Sequence, residues 1–146
     1  MNLTAIAQKV FCNDLFATQT TGIEIVAVDE NRTVCQLTLS DAHCNAKGNV
    51  MGGVIFTLAD FAFAIAANAH ILAFSTDGEI PVLQWVSASS NIHFLTAPKG
   101  NTLTATTSVV RQGRSQAVFQ INVTDSEQRP VALVTTSGAK IVTCDK

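Results

Sequence analysis

The apolar positions of this chain change period twice. At the start, Leu3, Ile6, Ala7 and Val10 recur at helical spacing, which predicts a short helix over 3–12. Two β-branched runs follow, GIEIVAVD (22–29) and TVCQLTLS (33–40), joined through the polar turn DENR, and they read as a hairpin. DAHCNAKGN (41–49) is a loop of turn formers. After Gly52 and Gly53 the chain runs for about 20 residues of mostly Ala, Phe, Leu and Ile without a proline, and helix is the strong expectation there.

Beyond that helix the pattern returns to alternation. VLQWVSASSNIHFL (82–95), TLTATTSVVRQ (102–112), SQAVFQINVTD (115–125) and PVALVTTSGAKIV (130–142) predict four more strands. Phe119, Ile121 and Val123 alternate with Gln120, Asn122 and Thr124, so one face is buried and one is wet. The connections TAPKGN, GR and SEQR are short enough to join antiparallel neighbours. The plan is β-β-long α-β-β-β-β, an α+β domain in which one helix is covered by one antiparallel sheet. Its length suits a single domain spanning residues 1–146.

Composition adds a constraint. Only 14% of residues are charged and 47% are hydrophobic, which points to a membrane protein or to extra surface buried in an oligomer. The long apolar helix is nearly long enough to cross a bilayer. It carries Asp60 near its middle, with Thr57, Asn68 and His70, and an Asp at that depth costs about 2.5–3.5 kcal/mol. A core helix wrapped by a sheet, and by a second subunit, is the better expectation, with no membrane partner. A net charge of −2 without a basic run argues against a nucleic-acid partner.

Cys12, Cys35, Cys44 and Cys144 show neither a CxxC pair nor metal-finger spacing with the three histidines, and adjacent His43 and Cys44 suit one metal ion poorly. The expectation is reduced thiols and no metal. The N-terminus lacks the basic start and long apolar core of a signal peptide, so the default location is the cytoplasm.

The candidate chemistry sits on the long helix. An ionised carboxylate buried without partners costs several kcal/mol, so Asp60 must be protonated, paired, hydrogen-bonded or open to water. A structural Asp satisfied by a distant donor and a carboxylate lining an active site are both open on this ground. Gly52 and Gly53 leave the helix start bare, where free N–H groups and the positive end of the helix dipole can hold developing negative charge. A carbonyl polarised there and a carboxylate farther along suit acyl transfer to water.

These residues resemble a known family. Asn45, Gly48, MGG at 51–53 and TLAD at 57–60 followed by FAFAIAAN match the pattern N-x5-HGG-x6-D of the hotdog-fold acyl-CoA thioesterases, in their phenylacetate-pathway (PaaI-type) branch. SSNIHFLTAPKGNTLTATTSVVRQGR resembles the later strand pair of the same family, and the likeness spans roughly residues 20–142. The resemblance implies a curved antiparallel sheet around one long helix, dimers commonly paired into tetramers, and active sites at the dimer interface. It implies Asp60 as general base or nucleophile, the Gly52 backbone N–H on the thioester carbonyl, and Asn45 positioning the water or the acyl group. Asn45 and Gly52 would come from one subunit and Asp60 from the other.

Ser87 aligns with a serine that orients the attacking water in some members, although simple alternation sets it opposite Ile92 and Phe94 unless a bulge intervenes. Lys99, Arg111 and Arg114 are candidates for the CoA phosphates, CoA entering only as part of the acyl-CoA substrate. One position departs from the pattern: Met51 stands where the family has His, and methionine neither donates a hydrogen bond nor carries charge. His43 and His93 do not have that spacing and read as ordinary core or surface residues. Three functions therefore compete: thioester hydrolysis of an aryl- or medium-chain acyl-CoA, acyl-thioester dehydration, and non-catalytic acyl binding. Dehydration wants a His paired with an acid, and Met51 argues against it.

Overall fold

The computed structural model describes residues 2–75 and 79–141; Cys144 and the last residue of the predicted final strand, Val142, lie outside them. Helix α1 is Leu3–Phe11, opened by the Asn2 side chain accepting the Ala5 N–H at 2.8 Å and burying Ala7, Val10 and Phe11. A π-helical turn over Phe16–Thr21, absent from the periodicity, follows and stops at Gly22 with φ 87°. Strands β1 (Ile23–Val28) and β2 (Thr33–Thr38) form the predicted hairpin. Helix α2 is Gly52–Ala73, and β3 (Trp85–Phe94), β4 (Thr102–Gln112), β5 (Gln116–Asp125) and β6 (Pro130–Lys140) complete the sheet.

The six strands run antiparallel in the order β1-β2-β4-β5-β6-β3. The short links GR and SEQR join neighbours as expected. TAPKGN does not: β3 pairs with β6, and β4 lies two strands further in. The curl of the sheet brings the two strand ends close, helped by bulges at Ile25/Ala27, Ser87/Ser89, Val109/Arg111 and Val123/Thr124. A polar clasp then holds the crossing. The buried Asp125 carboxylate accepts N–H groups of Lys99, Glu127 and Arg129 at 2.9–3.0 Å and the Arg129 side chain at 2.8 Å, while Arg129 also donates to the Ala97 carbonyl. These donors outweigh burial and hold the Asp125 carboxyl down at about 2.

The sheet wraps α2, which is long and apolar enough to span a bilayer (mean hydropathy 1.7) yet is the core helix here. Leu58, Ala62, Ile65 and Leu72 are fully buried, and Phe63 meets Phe119 edge-on with ring centres 5.5 Å apart. Phe63 also lies against Gly138 of β6, where a Cβ would come within 2.8 Å of its ring.

Asn68 shows how helix and site are coupled. It is 1% exposed, donates to the Ala64 and Trp85 carbonyls, and accepts the N–H groups of Gln84 and Trp85 at 3.0 Å. All four valences of its amide are used, so it fixes where β3 begins relative to α2. The bulge that sets Ser87 lies just beyond.

Candidate active site

The first element of the site is the start of α2. Met51 is the N-cap, extended at φ −66° and ψ 134°, and its side chain makes no capping bond. Its carbonyl accepts Val54 and Ile55, whereas the N–H groups of Gly52 and Gly53 meet no acceptor among the described residues. The approach to this point is held from behind. His43, 8% exposed, accepts the Ser40 N–H on Nδ1 and donates from Nε2 to the Thr21 carbonyl at 2.8 Å, and its own carbonyl accepts the Met51 N–H. His43 is therefore the core histidine expected, and His93 lies exposed on β3.

Asn45 shapes the loop before the helix. Its side-chain oxygen accepts the N–H groups of Lys47 and Asn49 at 2.9 and 3.2 Å, and Gly48 closes the turn at φ 78°. Only the amide NH2 of Asn45 is left to meet a ligand. Gly52 has a second reason to be glycine: a Cβ there would sit 2.9 Å from the ring of Phe94. Phe94, half exposed, forms with Gly52, Val50, Ile55 and Leu95–Pro98 a groove of about 480 Å³ leading away from the helix start. It continues into a second hollow between the loops carrying Gly48 and Gly100.

The second element is Asp60, eight residues along the same helix and so about 12 Å away at 1.5 Å per residue. No single acyl carbonyl can touch both Gly52 N–H and Asp60 of one chain. Asp60 lies on the stripe Thr57, Asp60, Phe61 and Ala64, which lines a cavity of about 340 Å³ closed on its other side by Asp14–Ala17. Burial raises the Asp60 carboxyl above the ordinary carboxylate range, and a hydrogen-bonding interaction with Ser87 opposes that shift. Ser87 can do so because of the bulge: Ser87 pairs with Gly138 and Ser89 with Ser137, with one residue extra between them. The extra residue restores Ser87 to the helix-facing side with Ser90, Ile92 and Phe94. Strict alternation would have turned it outward.

The three cations do not form one set. Arg111 and Arg114 border a common cavity at the β4–β5 turn, while Lys99 precedes the far end of β4, roughly 30 Å away along the strand. Lys99 stands instead beside the Gly52 groove, between Pro98 and Gly100. Met51, 55% exposed, flanks Gly53 and brings no polar atom to the helix start. Among the described residues no group of three metal-ligating side chains is present. Asp14, Leu15 and Phe16 were not singled out from the sequence. They belong to the π-helical turn and its entry, where an acid followed by two large apolar residues without a periodic partner is the only trace they leave.

The family model described as "Thioesterase superfamily" matches residues 47–132, which contain Gly52, Asp60 and Ser87. The chain is 34% identical over 128 residues to the acyl-coenzyme A thioesterase PaaI of Escherichia coli, covering 87% of this chain and 83% of that protein. It is 30% identical over 111 residues to a 1,4-dihydroxy-2-naphthoyl-CoA hydrolase of Listeria monocytogenes, covering 76% and 84%. The solved structure of the Escherichia coli PaaI protein superposes with a TM-score of 0.76 at 27% identity over 97% of both chains.

Proposed function

The chain belongs to the thioesterase superfamily as a PaaI-type thioester hydrolase of the hotdog fold, and we propose that it cleaves aryl- or medium-chain acyl-CoA in a site built by two copies of the chain. The thioester carbonyl of the acyl-CoA lies at the start of α2 of one copy, its oxygen facing the Gly52 N–H and the helix dipole. Asp60 of the second copy stands against the carbonyl carbon. As general base it takes a proton from water, the hydroxyl adds to the carbonyl, and the oxyanion rests on Gly52. Collapse expels the CoA thiolate, which recovers the proton from Asp60. As nucleophile Asp60 would form a mixed anhydride that water then opens. Both routes use the same ionised carboxylate and call for no cofactor; CoA is the leaving half of the substrate.

The observation that carries this reading is the pairing of a bare N–H with a carboxylate that the same helix holds about 12 Å apart. The free edge of β3 supports how two copies resolve that separation. Antiparallel pairing of two β3 strands about Asn91, with the extra residue of each bulge left unpaired, sets Ser87 of each opposite Phe94 of the other. The Asp60 end of one copy then meets the Gly52 end of its partner. Homodimers of this kind, paired further into homotetramers, also account for exposed Val86, Phe94 and Leu95.

In this arrangement Ser87 orients the attacking water and biases Asp60 toward its ionised form. The Asn45 amide reaches the acyl or water side, and Lys99 meets the CoA phosphates along the Gly52 groove. Arg111 and Arg114 of the partner approach from the other end of the paired strands. The free thiols of Cys12, Cys35 and Cys44 are in keeping with a cytoplasmic location. Thiol release from a panel of aryl- and fatty-acyl-CoAs tests the assignment. Asp60→Asn is expected to lose at least ~10²-fold in rate; a fully active Asp60→Asn variant would refute it.

A further inference from the structure

The cavity beside Asp60 contains a second acid that the reaction above does not use. Asp14, Leu15 and Phe16 form one wall, with Asp60, Phe61 and Ala64 opposite. Leu15 and Phe16 are 54% and 65% exposed and give this wall of the cavity an apolar rim. The Asp14 carboxylate has no hydrogen-bond or ion-pair partner among the described residues, although its backbone carbonyl accepts both groups of Thr18. Asp14 is exposed as a residue and lines the cavity, and partial burial of its carboxyl there pushes that carboxyl upward.

Charge decides which half of the substrate enters here. The CoA half carries several phosphate charges, and two carboxylates in one small cavity repel it. The Gly52 groove, flanked by loops that hold Lys47 and Lys99, does not. The acyl half therefore takes the Asp60 cavity, its tail running over Leu15 and Phe16 toward Asp14. From this placement we infer that Asp14 is a specificity-determining residue, selecting neutral acyl groups and turning away those that end in a carboxylate. The inference rests on the thioesterase reading above and adds the chemical class of its acyl group. Asp14 acts through charge on the far end of the substrate and takes no part in bond breaking.

A matched substrate pair tests it. Hexanoyl-CoA and adipoyl-CoA differ only in the terminal group, methyl against carboxylate, and kcat/KM is measured for both at a pH of about 8, where exposed carboxylates are ionised. The wild type is expected to favour hexanoyl-CoA by about 10-fold, as a like-charge contact at the solvent-screened edge of a protein supplies. Asp14→Asn should raise the adipoyl-to-hexanoyl ratio about fivefold, and Asp14→Lys should raise it further, with the gain in KM for adipoyl-CoA. A variant that merely loosened the fold would lower both rates and leave the ratio where it was. A ratio unmoved in both variants, or a wild type that prefers adipoyl-CoA, overturns the role of Asp14 while leaving the hydrolase assignment standing. A wild type that hydrolyses neither this pair nor any aryl-CoA overturns the hydrolase assignment and this inference with it.

Discussion

The separation of Gly52 from Asp60 along one helix gives the two-chain site a quantitative test. Gly52→Pro deletes the single N–H proposed to hold the oxyanion and nothing else in the backbone ladder. Proline is well suited to the first helical position, and Met51 is already extended as a residue before proline must be. Among the described residues, the atoms nearest a Cβ at this position belong to the half-exposed Phe94 ring, which has to give way. Loss of one oxyanion donor costs about 10²–10³ in rate, and Asp60→Asn costs at least ~10². Each homodimer is then nearly dead. Co-expressed with different tags, the two variants pair at random, so about half of the dimers are mixed, and each mixed dimer has one site with both defects and one with neither. The pool should recover about one quarter of wild-type activity, and purified mixed dimers about one half. A pool that stays at the residual rate of its parents, with mixed dimers verified by native mass, would put both groups in one chain and refute the two-chain site.

Two further outcomes follow from local geometry. Ser87 holds the Asp60 carboxyl down against burial, so Ser87→Ala lets it rise further. The fraction of Asp60 ionised at mildly acidic pH then falls, and the acid limb of the kcat/KM profile moves to higher pH; an unmoved limb would separate Ser87 from Asp60. Gly138→Ala pushes a Cβ to 2.8 Å from the buried Phe63 ring and should cost about 1–3 kcal/mol of stability by denaturant titration, partly restored by Phe63→Leu; no loss would mean that the β6–α2 contact is looser than described.

What was legible in the sequence, and what was not, divides by the range of the interactions involved. Both helices and all six strands could be read because their periods are local, and β4 matches to the residue. The sheet order could not. TAPKGN is as short as a hairpin loop, yet it crosses two strands, because a closed curl shortens the path and Asp125 clasps it from another hairpin. The face of Ser87 was equally hidden. It depends on one unpaired residue in β3, whose position is fixed by Asn68 on the helix beneath. The π-helical turn left no periodic signature, and with it went Asp14, Leu15 and Phe16.

Asp60 itself was visible as one acid in an apolar helix, but what makes it tolerable was not. Its stripe of Thr57, Phe61 and Ala64 faces a cavity, and Ser87 offsets part of the cost of its burial. The remaining cost would serve the proposed general-base route, since a carboxylate held above its ordinary range has the greater affinity for a proton taken from water. Met51 takes nothing from either element. The bare N–H groups come from Gly52 and Gly53, and their orientation comes from the His43 carbonyl gripping the Met51 N–H from behind, so the helix start is prepared by backbone geometry alone. A histidine at 51 could add a contact to the substrate, but the proposed Gly52 donor does not depend on it.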